Sequence, residues 1–329
     1  MSTGDLRSSQ PLRRAGADAT GPFTVSLSPE DAGWAFSGLR VLDLPAGGRQ
    51  DLETGADELL VLPLTGACTV TVTTDTGITG GGGAGGGGSA DPENMPSAHT
   101  RTFALQGRAD VFSAVTDHLY VPMGATLTIT SAGGGRFALP SARASRRLPV
   151  SHRRADEVRV ELRGAGTCSR QVNNYALGND LDTDHLLVCE VLTPGGNWSS
   201  YPPHKHDVHS EVERELEEIY YFEVAPGPDG PGFAFHRTYG TADRPLELTE
   251  EVRTGDVVLI PHGYHGPSMA APGYDLYYLN VMAGPASDQQ WLMTDDPRHH
   301  WIRDTWADQE IDPRLPMTST PAEGREGHT

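Results

Sequence analysis

Two neighbouring segments, Glu218-Ile-Tyr-Tyr-Phe222 and Gly255-Asp256-Val-Val-Leu-Ile-Pro-His-Gly-Tyr-His265, decide the fold. In the first an acid opens a short apolar run; in the second Gly-Asp turns the chain into another, which a Pro-x-Gly turn closes. Runs of four or five β-branched, aromatic and aliphatic residues bounded by such turns read as buried strands. The same phrase occurs earlier, in Glu58-Leu-Leu-Val-Leu62 and Asp117-His-Leu-Tyr-Val-Pro-Met-Gly124. Acid and Asp lie 38 residues apart in the later copy and 59 in the earlier one. The excess of 21 matches the glycine-rich stretch Gly80–Gly88 and its polar continuation to Asn94. A run without side chains buries nothing and reads as a tether rather than a phosphate loop, because no Lys-Ser/Thr or helix pattern follows it. Two copies of one β unit, the first with an inserted loop, is the economical reading.

The rest of the chain agrees. Short runs such as Cys68-Thr-Val-Thr-Val72 and Ala125-Thr-Leu-Thr-Ile-Thr130 alternate with the period of two of a half-buried strand. With 39 Gly and 25 Pro in 329 residues, turns are plentiful, which favours an all-β chain. Lys and Arg number 25 against 44 Asp and Glu, a net charge of −19. Such a chain is a poor ligand for nucleic acid or an anionic membrane, and would need local positive charge to hold an anionic substrate. The three cysteines, Cys68, Cys168 and Cys189, form no CxxC and suit a reducing compartment. The polar N-terminus lacks an apolar leader, and no run approaches the roughly 18 residues of a membrane span. The expectation is a soluble, cytoplasmic protein.

The chemistry is concentrated in Trp198-Ser-Ser-Tyr-Pro-Pro-His204-Lys-His206-Asp207. Residues two apart on a strand share a face, so His204 and His206 present both imidazoles to one side and Lys205 and Asp207 turn away. Glu218 opens the next strand, with Tyr220 and Phe222 on its face, and His265 ends a third. Three imidazoles and a carboxylate converging inside a small barrel suit a borderline divalent cation such as Zn, Fe, Mn, Co or Ni. Arg237 and Tyr239 alternate with bulky residues in Phe233-Ala-Phe-His-Arg-Thr-Tyr239 and are candidates to reach the pocket.

At these residues the chain resembles the cupin superfamily. More closely, it is similar to the 5-deoxyglucuronate isomerase family of myo-inositol catabolism, a bicupin. The resemblance is carried by Arg163-Gly-Ala-Gly166, Arg170-Gln-Val-Asn173, Thr193 to Asp207, Leu216 to Tyr221, Gly263-Tyr-His265 and Ala271 to Gly284. It implies two jelly-roll cupin barrels in tandem. The expected organisation is a disordered extension over 1–20, a metal-free cupin unit over 21–145 with its insertion near 79–100, a metal-binding unit over 146–311, and a disordered tail over 312–329. His204, His206, Glu218 and His265 would be the ligands of one divalent ion, Zn foremost. The first unit keeps Glu58 but lacks an HxH pair and a His after Gly124.

The reaction so implied is an aldose–ketose isomerisation of 5-deoxy-D-glucuronate to 2-deoxy-5-keto-D-gluconate through an enediolate. It needs a cation to stabilise oxygen charge and a positioned base. Tyr220, Tyr278 and Glu190 are the candidate bases. Arg170, Arg237, Tyr239 and Asn280 are the expected substrate contacts, the arginines serving the carboxylate. The implied partner is a small anionic sugar acid, and a homo-oligomer is compatible with the family. Another metal-dependent cupin enzyme, or a non-catalytic sugar-binding bicupin, are the competing readings.

Overall fold

A computed structural model describes residues 11–75, 98–177 and 181–319. Almost everything regular in it is strand; the one α-helix is the single turn Pro29–Ala32. Among the described residues no helix is long and apolar enough to cross a membrane.

The first half curls around the long strand Asp57–Asp75, whose two ends pair with different partners. Its beginning pairs with His118–Val121, and its end with Ala98–Arg108 and Ala125–Ser131. Gly135–Arg143 then carries the sheet to Ser37–Leu44 and Phe23–Leu27. The second half is built of two sheets. One runs in the order Leu12–Arg13, Val257–Ile260, Glu217–Val224, Leu276–Ala283, Leu187–Thr193, Arg170–Ala176, Arg159–Arg163. The other runs Glu247–Val252, Ala234–Tyr239, Tyr264–Ala270, His204–Lys205, Thr294–Asp295. The two copies of the sequence phrase form the same unit: Leu59–Val61 pairs antiparallel with Leu119–Val121, and Glu218–Tyr221 with Val257–Ile260.

Side-chain alternation sorts the core into three compartments. On Glu217–Val224 and Leu276–Ala283, Tyr220, Phe222, Tyr278 and Met282 fill the inside of the second barrel. Their neighbours Ile219, Tyr221, Tyr277, Leu279 and Val281 face the other way and pack with Leu39, Val41 and Ala138 of the first half. These strands are therefore buried on both faces, which is why they read as unbroken apolar runs. The first barrel has its own filling, including Leu42, Leu59, Val61, Val70, Leu119, Ile129 and Phe137.

Several expected boundaries move. Order begins inside the expected extension: Leu12 and Arg13 add an edge strand to the second half, and Asp256 accepts from the Ala15 N–H at 2.9 Å. Residues 1–10 lie outside the described residues. Ala98–Arg108 is already strand, so the described part of the expected insertion at 98–100 is sheet, and the remainder lies outside the described residues. Ser151–Arg153 pairs with His118–Val121, so the first sheet reaches beyond residue 145. The expected tail is packed as far as it is described: Thr318 is buried and bonds Gln171, and Asp312 accepts from Asn197 at 2.9 Å. Both corrections at the termini have one cause. Short polar segments without periodicity gain order from partners distant in sequence, which local patterning does not show.

Candidate metal centre

Three strands, with His206 just past the end of His204–Lys205, bring the ligand-type side chains together. His204 lies directly opposite His265 in the sheet register, and Glu218 lies opposite Ile260 on the facing sheet. One nitrogen each of His206 and His265 and one oxygen of Glu218 all lie within 4.8 Å of one another. Both imidazoles converge on the same oxygen: Glu218 Oε2 is 3.0 Å from His206 Nε2 and 2.9 Å from His265 Nε2. His204 is adjacent, its ring centroid 4.4 Å from that of His265. All four are buried, Glu218 and His265 completely.

The groups behind them set orientation. His206 Nδ1 lies 3.1 Å from the Leu216 carbonyl, to which it donates, and Nε2 faces Glu218, whose carboxylate raises the imidazole against burial; with a cation bound, Nε2 would be the ligating nitrogen. Asn280 donates to Glu218 Oε1, fixing the carboxylate from the side away from the histidines. Burial opposes ionisation of Glu218, but His265 and His206 outweigh it and hold the carboxyl well below its usual range. Burial, reinforced by neighbouring imidazoles, pushes His204 far down and His265 down, towards the neutral form that binds metals.

The donor set fits a divalent cation on an observation of its own. His204 Nε2 and both nitrogens of His265 are buried without an aligned hydrogen bond. Leaving such atoms unmatched costs about 1–3 kcal/mol each, a cost that coordination removes. Imidazoles with one carboxylate match zinc-like ions better than calcium or magnesium, which favour oxygen ligands.

Beside the cluster, Tyr220 and Tyr278 stack with their centroids 4.9 Å apart and planes at 9°. Ser200 Oγ lies 2.8 Å from the Tyr220 hydroxyl and 3.1 Å from that of Tyr278, and Tyr278 donates to Ser199 Oγ at 2.9 Å. Burial raises both phenols, Tyr278 to about 12 and Tyr220 further, so both keep their protons near neutrality. Ser200, at a left-handed φ of 47°, is a residue that sequence reasoning missed. Its place in the family-like block was the one available signal, since nothing local predicts a bridging hydroxyl.

Other expected site residues lie elsewhere. Glu190 is on the opposite face of its strand, towards the first half. It accepts from both terminal guanidinium nitrogens of Arg108 at 2.9 and 2.8 Å, and from Asn173 and Tyr175. A carboxylate so saturated, across a sheet from the histidines, is a structural anchor and not a base for this site. Arg237 and Tyr239 share the outer face of Ala234–Tyr239, the guanidinium 4.2 Å over the phenol ring, while His236 and Thr238 turn inward. Arg237 reaches Glu247 at 3.5 Å and Tyr239 donates to Asp296 at 2.7 Å, away from the cluster. Arg170 and Asn280 do lie on the inner face, in line with Val172 and Tyr278 of the barrel core.

The family model described as KduI/IolB matches residues 12–302 of this chain. The 5-deoxy-glucuronate isomerase of Geobacillus thermodenitrificans is 37% identical over 283 residues, covering 85% of this chain and 91% of that protein. The protein of that name from Bacillus subtilis strain 168 is 37% identical over 266 residues, covering 80% and 86%. Among solved structures, an IolB-like protein from Salmonella typhimurium LT2 superposes with a TM-score of 0.73 at 32% identity, covering 89% of this chain and 99% of that one. The oxalate decarboxylase of Lactobacillus farciminis aligns with a TM-score of 0.57 at 12% identity, covering 87% and 88%, a likeness of fold that agrees with tandem cupin barrels.

Proposed function

The chain belongs to the KduI/IolB family and is an isomerase, and we propose that it converts 5-deoxy-D-glucuronate to 2-deoxy-5-keto-D-gluconate at the His204, His206, Glu218 and His265 cluster. The observation that carries this is the convergence of His206, His265 and Glu218 within 4.8 Å beside a buried, stacked pair of tyrosines. A divalent ion held there, zinc on the donor set, supplies a Lewis acid for oxygen charge developing on the substrate.

The chain's own groups act on the substrate's oxygens. Isomerisation moves a hydrogen from the carbinol carbon to the aldehyde carbon and a proton between the two oxygens. Tyr220, kept neutral, donates a hydrogen bond to an oxygen that gains charge, while Tyr278, its own proton held by Ser199, orients Ser200 beside it. Ser200, within reach of both hydroxyls and able to donate to either, links them into a path between neighbouring substrate oxygens. Asn280 keeps Glu218 in place. Phe222, Tyr278 and Trp291 give these contacts an apolar surrounding, in which each is stronger than in water. The first barrel is proposed to be metal-free.

Proton NMR of 5-deoxy-D-glucuronate with the metal-replete protein tests this, with His204→Ala beside it. The expected result is 5-keto acid formation by the wild type alone, with lowered metal content in the variant. Absence of product with a metal-replete wild type would refute the assignment.

A further inference from the structure

With Arg237 facing outward, Arg170 is left of the two arginines expected to serve the substrate carboxylate. Arg163 and Arg170 lie directly opposite each other on adjacent strands, on the inner face of the second barrel. Like charges so placed repel, an arrangement that sheets avoid without a compensating anion. Arg163 has one in Glu161, at 2.8 Å from its Nε. The nearby Arg303 is matched by Asp295 at 2.7 Å. Arg170 is 8% exposed, and the one hydrogen bond of its guanidinium among the described residues is to the Cys168 carbonyl at 3.1 Å. Burial, with Arg163 and Arg303 adding to it, pushes its guanidinium down to about 10. A buried cation without an anion is costly unless something brings the charge to it.

The surroundings accommodate that group. Gly164, at φ +75°, packs its backbone against the Cys168 carbonyl, and a Cβ there would also come within 2.7 Å of Arg170 Nη1. Trp291 spans the distance to the histidines: Arg163 Cζ is 5.1 Å from its ring centroid, and His204 is 6.5 Å from it on centroids. Trp291 Nε1 is itself a buried donor without a hydrogen-bond partner. A six-carbon acid holds its carboxylate about 6 Å from its aldehyde carbon when extended, on carbon–carbon bonds of about 1.5 Å. Such a molecule lying along Trp291 would place one end at the histidines and the other at the arginines.

We propose that Arg170 and Arg163 form the seat of the substrate carboxylate, and that this seat makes the enzyme select uronates over neutral aldoses. The proposal rests on the isomerase reading for the identity of the substrate. Arginine suits the role because its fork meets a carboxylate through two parallel hydrogen bonds. Arg170 supplies the unmatched charge, and Arg163 exchanges part of its bond with Glu161 for the ligand.

Steady-state kinetics on 5-deoxy-D-glucuronate and on neutral 5-deoxy-D-glucose test this with Arg170→Gln, Arg170→Lys and the less buried Arg163→Gln. Arg170→Gln is expected to raise KM for the uronate about a hundredfold, with kcat within about threefold and metal content unchanged. Arg163→Gln should raise KM about tenfold, and Arg170→Lys should fall between wild type and Arg170→Gln. The preference for the uronate should shrink by the same factors. An unchanged preference in both glutamine variants would overturn the seat, as would loss of kcat at unchanged KM. Calorimetric titration of D-glucuronate and D-glucose separates this from the isomerase reading. Binding of D-glucuronate that Arg170→Gln abolishes supports the seat even if 5-deoxy-D-glucuronate is not turned over, an outcome that overturns the isomerase reading alone. Equal binding of both sugars by wild type would overturn the seat.

Discussion

The two barrels start from the same phrase and put its acid to opposite uses. In the second, Glu218 meets two imidazoles and an amide. In the first, Glu58 is equally buried, but its oxygens accept the backbone N–H groups of Asp184, His185 and Leu186 and the Tyr120 hydroxyl at 2.7–3.0 Å. A carboxylate at the start of a central strand can thus either face ligands inside its barrel or tie its barrel to the other. The interiors differ accordingly. Where the second holds His204, His206, His265 and Tyr220, the first is filled by Leu, Val, Ile and Phe side chains. Among the described residues, such a filling of hydrocarbon side chains offers a cation no donors.

Removing the acid from each barrel should produce the largest contrast. Glu218→Gln should lower turnover by about a thousandfold or more, since it removes a ligand and the Lewis acid with it. Glu58→Gln should keep full metal content and lose stability instead, measured by denaturant unfolding. Next in size, Asn280→Ala should weaken metal affinity about 10–100-fold, as loss of a group that orients a ligand does, without altering the melting curve of the metal-free protein by more than a few degrees. Competition with a chromogenic chelator measures it.

The face between the barrels should respond through stability. Glu190→Gln leaves Arg108 buried with half its partner and should cost about 3–5 kcal/mol by urea titration. If the folded fraction keeps wild-type kcat, Glu190 is an anchor; a kcat loss at unchanged stability would return it to the chemistry. Smaller still is an acid dependence. Burial opposes ionisation of Asp184, but Arg146 and the N–H groups of Ser145 and Arg146 prevail and hold its carboxyl below the usual range. Such a group stabilises the fold above the ordinary carboxylate pKa of about 4 and loses that contribution as pH falls through its depressed value. Asp184→Asn should therefore lower the melting temperature at pH 7 and converge on wild type in acid. The smallest effect should be that of Arg237→Ala, within about twofold of wild type in kcat and KM, because that side chain lies on the outer face.

What was legible in the sequence follows from range. The strands, the repeated unit and the HxH, Glu and His set depend on alternation and on turns such as Pro261-His-Gly263, which are written locally. The inward parity of Tyr220 and Phe222 with Glu218 was available from the same counting. Parity also distinguishes Glu190 from Cys189, but only once it is known which face of Leu187–Thr193 looks into the second barrel. Both faces are buried, so hydropathy does not say. Arg237 shows the same difficulty at a register shift between His236 and Thr238. The termini were misjudged because Leu12 and Thr318 are ordered by Val258 and Gln171, residues more than a hundred positions away.

The most direct test of the contrast is the number and position of bound metal ions. Anomalous diffraction from crystals of the zinc-reconstituted protein should place a single ion per chain among His204, His206, Glu218 and His265, present in Glu58→Gln and absent in Glu218→Gln. An ion inside the first barrel, or one that survives in Glu218→Gln, would contradict the division of labour between the two barrels.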